Sequence, residues 1–227
     1  MPSRISVIIP AFNEEQSIGL VLDALPQDRI HEIIVVDNKS SDDTARCARE
    51  KGARVIEEKR RGYGSACLKG ISELDNPDIV VFLDGDFSDY PEEILKLVAP
   101  IESGEMDFVL GSRMILPDSR NALLPQSRYG NQLAVFLISL FFRHRYTDLG
   151  PFRAIRYDSL KSIDMQDTNF GWTVEMQIKA VKKKLRILEI PVQYRDRIGV
   201  SKITGTFSGT IKAGTKIIYT IFKYLLT

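Results

Sequence analysis

The sequence is poor in cysteine and histidine, which excludes two classes of protein. Its 227 residues contain two of each. Cys47 and Cys67 belong to no CxxC pair and have no histidine nearby. The chain therefore lacks the ligand spacing of a zinc site and the cysteine density of a disulfide scaffold. We expect both cysteines to be small buried side chains rather than a disulfide.

An excess of one charge and a long apolar run are also missing. The 31 basic and 30 acidic residues leave a net charge of +1, which argues against a nucleic-acid partner. No run reaches the roughly 18 apolar residues that span a bilayer. The nearest candidates are 133–142 and 210–226, and lysines interrupt the second. Because no signal-peptide pattern opens the chain, we expect a cytoplasmic protein.

Short apolar runs alternate with helical patterns over the first 110 residues, which is typical of βαβ units. Strands are predicted at 5–9, 32–36, 54–57, 79–83 and 108–110, and helices at 14–24, 42–51, 64–73 and 92–102. The second half predicts helices near 128–142 and 171–184, a strand near 186–190, and an unassigned segment at 147–155. The fold class is therefore α/β, with a mainly parallel, Rossmann-like sheet in a single domain (1–204) and a basic amphipathic tail (205–227).

Three polar clusters follow predicted strands, at 10–14, 37–43 and 84–86. Ligands of open α/β sheets bind beyond the carboxyl ends of the strands. We therefore expect the three clusters to share one cleft.

Asp84 and Asp86 follow the apolar run 79–83, so both carboxylates lie at the end of a strand. Carboxylate oxygens suit Mg²⁺ or Mn²⁺, and such a cation neutralises a leaving diphosphate. A turn would also place aspartates here, but the neighbouring clusters favour a metal site.

Two further features point to a nucleotide. Asp37 ends a strand, where its carboxylate can accept hydrogen bonds from a base or a ribose. Gly62 and Gly64, preceded by two arginines, lie directly before a predicted helix. Close backbone approach and free amides at a helix start favour an anion.

Motifs along nearly the whole chain resemble the family-2 glycosyltransferases, and within them the branch of dolichyl-phosphate mannose synthases and polyprenyl-phosphate glycosyltransferases. They are VIIPAFNEE (7–15), VVDN (35–38), GYG (62–64), DGD (84–86), GSR (111–113), SRYGN (127–131), TD to FR (147–153) and PVQYRDRIGVSK (191–202). The resemblance implies a GT-A fold and direct, inverting displacement at the sugar. It also implies a nucleotide-sugar donor.

The resemblance assigns roles to residues. Those implied to bind the nucleotide-sugar are Pro10, Phe12, Glu14, Asp37, Gly62, Gly64, Asp84 and Arg113. Asp84 and Asp86 would hold the metal. In the polyprenyl-phosphate branch the acceptor is an ionised phosphate that needs no general base, and Arg128, Arg197 and Lys202 would bind it. Asp86 and Arg128 are thus catalytic candidates.

Two alternatives stay open. If the acceptor is a soluble hydroxyl compound, Asp148 is the candidate base. Asn38 and Ser88 depart from the family pattern and leave a non-catalytic nucleotide-sugar binding protein as the other alternative.

Two apolar segments have more than one interpretation. As a helix, 133–142 is apolar almost all round, which predicts burial, with a homo-oligomer contact or lipid insertion as alternatives. The tail mixes lysines with large apolar residues and has no acid. This pattern suits an anionic membrane surface or a helix packed on the domain.

Overall fold

The computed structural model describes residues 3–199 and 207–226. The strands are β1 (Ile5–Ala11), β2 (Glu32–Asp37), β3 (Arg54–Glu57), β4 (Ile79–Phe82), β5 (Phe108–Ser112), β6 (Arg153–Arg156) and β7 (Ile187–Pro191). The helices are α1 (Ile18–Ala24), α2 (Thr44–Glu50), α3 (Tyr63–Ser72), α4 (Ile94–Glu102), α5 (Pro117–Ala122), α6 (Pro125–Phe142), α7 (Tyr157–Ile163), α8 (Trp172–Lys182) and α9 (Phe207–Leu226). Short 3₁₀ helices occupy Gln27–Arg29 and Pro91–Glu93.

The strands form one seven-stranded sheet in the order β3-β2-β1-β4-β6-β5-β7. β1 and β4 are almost continuously apolar and buried, because parallel strands in the middle of a sheet are covered on both faces. β1 pairs in parallel with β2 and β4, and β5 with β7. β6 is antiparallel to both neighbours. The mainly parallel α/β fold is confirmed.

Helices cover both faces of the sheet. On one face α1, α2 and α4 bury residues such as Ile18, Ala48 and Leu97. On the other face α3, α6, α8 and α9 pack around Trp172, whose ring meets Phe82 of β4 edge to face at 5.8 Å. The cleft lies at the carboxyl ends of β1, β2 and β4, where the covering helices begin.

Residues of the predicted tail form α9, which packs on the domain. The Tyr224 hydroxyl donates to Glu175 of α8 at 2.6 Å, and Lys216 pairs with Asp167 at 2.7 Å. The expected boundary at residue 204 lies outside the described residues. None of the helices within 3–199 and 207–226 is long and apolar enough to cross a membrane.

The expectation of burial for 133–142 is correct for one face of α6 only. Ala134 and Ile138 are buried, whereas Phe136 and Leu140 are 62% and 59% exposed. Both cysteines are free thiols; Cys67 is buried and Cys47 half-buried.

Candidate functional site

Two cavities meet at the carboxyl end of β4. The smaller and more polar of the two, about 270 Å³ and called the polar cavity below, lies beside β1 and the start of α3. The apolar cavity, about 650 Å³, runs between α6 and α9. The residues that line both are Tyr63, Asp84, Asp86, Phe170 and Arg197. The acidic pair predicted from the sequence therefore stands at the junction.

The loop after β4 fixes the two carboxylates differently. Asp84 accepts a hydrogen bond from the Tyr63 hydroxyl at 2.9 Å. Asp86 accepts from the hydroxyl and backbone amide of Ser88 at 2.5 and 3.0 Å. Burial and the nearby charge of Asp86 raise the pKa of Asp84. The surroundings of Asp84 therefore oppose its ionisation.

Among the residues that the structure describes, Arg197 forms an ion pair with this acidic pair. Its guanidinium lies 3.1 Å from Asp86 and 2.6 Å from Glu14. A half-buried and a buried carboxylate that attract a cation fit Mg²⁺ or Mn²⁺, since Mg²⁺ is commonly bound by one or two carboxylates together with phosphate and water. Within the part of the chain that the structure describes, no cluster of three or more acidic, histidine or cysteine side chains could hold a metal.

Phe12 and Arg61 form the outer wall of the polar cavity. The guanidinium of Arg61 lies 3.1 Å from the centre of the Phe12 ring, and it donates to the backbone carbonyl of Asn38 at 3.2 Å. A planar cation stacked on an aromatic ring is a surface on which a nucleobase can stack. Pro10, Glu14 and Gly62 line the same cavity.

Asn38 organises the loop above that cavity. Its amide donates to the carbonyls of Glu58 and Arg60 at 3.1 and 2.8 Å and accepts from the amide of Gly62 at 2.8 Å. An aspartate would lack the two donors. Asn38, which departs from the family pattern, thus connects the glycine loop to the end of β2 by hydrogen bonds. Asp37 does not line the cavity; its carboxylate accepts from the Ser40 amide at 3.3 Å.

Another backbone segment lies so close to Gly62 and Gly64 that neither position has room for a side chain. A Cβ on Gly62, which has φ of +147°, would lie 2.2 Å from the Thr168 carbonyl oxygen, and one on Gly64 would lie 2.0 Å from that of Asp167. The Ser65 amide donates to the same Thr168 carbonyl at 2.9 Å. The glycine loop therefore packs directly against the backbone of residues 167–168. Of the two glycines, Gly62 lines the polar cavity.

Glu175 of α8 holds residues 166–168 in place. This fully buried carboxylate accepts from the amides of Gln166 and Asp167 at 3.0 and 2.6 Å. It also accepts from Tyr224 of α9. A series of contacts thus links α9 to the glycine loop. Sequence reasoning missed these contacts because the residues that make them are far apart in the sequence.

Arg113 and Asp148 form a buried ion pair beside the apolar cavity. The Arg113 Nε and Nη2 atoms donate to the Asp148 carboxylate at 2.8 and 2.9 Å, and the Arg113 amide adds a third bond at 2.9 Å. Burial opposes ionisation of Asp148, but the charge and hydrogen bonds of Arg113 outweigh it and lower the pKa. Arg113 lines the apolar cavity and Asp148 does not.

Arg195 joins the wall of the apolar cavity and was not among the predicted site residues. It stacks on Phe87 at 3.7 Å and donates to the carbonyls of Phe87 and Asp89 at 2.9 and 3.2 Å. These contacts tie residues 194–198 to the loop that carries Asp86. Conversely, Arg128 lies on α6 but is not among the cavity-lining side chains. Lys202 lies outside the described residues.

Asp89, in the same loop, was also missed. It is 1% exposed, and among the described residues neither of its carboxylate oxygens has a hydrogen-bond partner. Burial and the charge of Asp84 raise its pKa well above the ordinary value. Burial of this side chain therefore favours its neutral form.

Comparison with known proteins gives consistent matches. Residues 6–168 match the model of glycosyl transferase family 2. An uncharacterized glycosyltransferase of Mycobacterium bovis is 33% identical over 92% of this chain and 94% of its own length. The dolichyl-phosphate hexose transferase of Haloferax volcanii is 32% identical over 94% and 92%.

Solved structures show the same fold. Glucosyl-3-phosphoglycerate synthase from Mycobacterium tuberculosis, in complex with Mn²⁺, UDP-glucose and phosphoglyceric acid, superposes with a TM-score of 0.80. It is 23% identical, and the match covers 98% of this chain and 80% of that one. The fold is thus that of the GT-A glycosyltransferases.

Proposed function

The chain belongs to the family-2 glycosyltransferases, and from this premise we propose that it moves a hexose from a UDP- or GDP-sugar to a polyprenyl or dolichyl phosphate. The observation that carries the proposal is the meeting of a polar and an apolar cavity at Asp84 and Asp86. The polar cavity suits a nucleotide, and the apolar one suits a lipid chain. The name of the Haloferax relative supports this acceptor class.

On this proposal the donor lies along Pro10, Phe12, Glu14 and Gly62, with its diphosphate at the junction. Asp84 and Asp86 would hold Mg²⁺ or Mn²⁺, which neutralises a diphosphate as it leaves. Glu14 would keep Arg197 at the same place, so that its guanidinium faces the phosphates.

The acceptor phosphate needs cations rather than a base, because it is ionised at neutral pH. Arg113, Arg195 and Arg197 all line the apolar cavity. Guanidinium groups bind phosphate through paired, charge-assisted hydrogen bonds. Arg128 and Lys202 remain predictions for this role.

The hydroxyl-acceptor alternative is less well supported. A general base must reach the proton that it removes, whereas Asp148 is 1% exposed and all its contacts are inside the protein. Its environment is that of a residue that positions Arg113.

A transfer assay tests the proposal. Purified protein with Mn²⁺, labelled UDP- or GDP-hexoses and a short polyprenyl phosphate should form a labelled product that extracts into organic solvent. Asp84→Asn should form at least 100-fold less if the cation is required, by analogy with the loss of one group that stabilises transition-state charge. Nucleotide binding without product from any donor would instead favour the non-catalytic alternative.

A further inference from the structure

The outer face of α6 is an apolar stripe. Tyr129, Leu133, Phe136 and Leu140 are 72%, 49%, 62% and 59% exposed. Their spacing of four, three and four residues places them on one side of a helix. Large exposed apolar patches mark interaction sites, because single domains rarely leave them uncovered.

α9 extends this stripe into a broader surface. Its outer side exposes Ile211, Tyr219 and Phe222 by 52%, 59% and 44%. The Phe222 ring packs against Phe141 of α6 with centroids 5.4 Å apart. The two helices therefore present one continuous surface, the α6–α9 face.

The α6–α9 face borders the apolar cavity. Leu133 of α6 and Ile218 of α9 are both exposed at the surface and both line the cavity. Ala213 and Gly214 of α9 also line it, and their small side chains leave space between the helices. A long apolar chain entering the cavity from this face would stay in contact with apolar side chains.

The charges of the α6–α9 face indicate which kind of partner it binds. Neither 125–142 nor 207–226 contains an acidic residue, whereas Arg128, Lys212 and Lys223 are basic. A two-fold symmetric dimer through the face would place cations near cations with no acid between them. An anionic bilayer has the complementary charge and accepts the apolar side chains.

We propose that the α6–α9 face docks on an anionic phospholipid bilayer, and that the acceptor chain passes from the bilayer between α6 and α9 into the apolar cavity. The inference deepens the proposed function, from which it takes the lipid acceptor. Docking can be measured without turnover, so an experiment can contradict the docking and leave the proposed function standing, or the reverse.

Vesicle flotation tests the docking. Wild-type protein should float with phosphatidylcholine vesicles that contain 30 mol% phosphatidylglycerol, and much less with phosphatidylcholine alone. Phe136→Glu should raise the lipid concentration for half-maximal binding about tenfold or more, since a large apolar contact is replaced by a charge that the surface repels. Leu20→Glu is the matched control, because Leu20 is 43% exposed on α1, across the sheet; it should bind as wild type.

A second pair of variants tests the charge. Lys212→Gln with Lys223→Gln should weaken binding about 30-fold, because each lysine near an anionic surface contributes roughly a factor of five. Arg49→Gln with Lys59→Gln removes the same charge elsewhere and should have little effect. The melting-temperature increase caused by UDP or GDP with Mn²⁺ should be unchanged in all variants, which shows that they are folded.

The outcomes separate the hypotheses. Equal flotation of wild type and Phe136→Glu would overturn the docking. So would a dimer in light scattering that Phe136→Glu dissolves while wild type fails to float. Specific flotation without any nucleotide-dependent melting shift would uphold the docking and overturn the proposed function.

Discussion

Replacing Asp148 by asparagine distinguishes a positioning role from a catalytic base. The substitution preserves shape but leaves the Arg113 guanidinium, whose side chain is 14% exposed, without its counter-charge. Removing one partner of a buried ion pair costs about 3–5 kcal/mol. The asparagine carbonyl still accepts two of the four hydrogen bonds that the carboxylate accepts, so we expect the lower end, about 3 kcal/mol.

For a chain of this length, that loss corresponds to a melting temperature about 6–12 °C lower. Urea unfolding gives the free-energy difference directly. Asp196→Asn is the control: it changes an exposed acid in the wall of the same cavity and should cost less than about 0.5 kcal/mol.

A double mutant isolates the pair. Arg113→Met combined with Asp148→Asn should be less destabilised than the sum of the single changes by about 1–3 kcal/mol, because the second change removes the stranded charge. Full stability of Asp148→Asn together with a loss of turnover of about 10²–10⁴-fold would refute the positioning role and restore the base.

Three further predictions concern the loops around the cavities. Asn38→Asp should destabilise the protein by about 2–4 kcal/mol and weaken nucleotide binding in calorimetry, since two carbonyls lose their donor; unchanged affinity would show that the glycine loop does not depend on Asn38. Glu175→Gln should weaken nucleotide binding more than Tyr224→Phe, because Glu175 alone holds the amides of residues 166 and 167; equal affinities would contradict this link. Because folding raises the pKa of Asp84 from 3.8 to about 7, the folded state binds more protons than the unfolded one between these pH values. The cation-free protein should therefore lose stability as pH rises through this range, and Asp84→Asn should flatten the dependence in pH-resolved urea unfolding; parallel curves would contradict it.

The sheet and the acidic pair could be predicted from the sequence because their signals are local. An apolar strand followed by polar residues identified the positions of Asp84 and Asp86 at the cleft. β6 was missed within 147–155, because its antiparallel pairing with β4 and β5 depends on strands far away in the chain. The role of Asp148 was open for the same reason: its partner, Arg113, is 35 residues away. The half-exposed α6 was mistaken for a buried helix because an apolar composition does not reveal which face is covered.

On the proposed function, the acceptor is a lipid phosphate bound at the junction of the two cavities. The most direct test compares two acceptors, a polyprenyl phosphate and the polyprenol of the same length. Each is incubated with the enzyme, Mn²⁺ and the best labelled donor. We expect label transfer to the phosphate and at least 100-fold less to the alcohol. Equal transfer to the alcohol would contradict it.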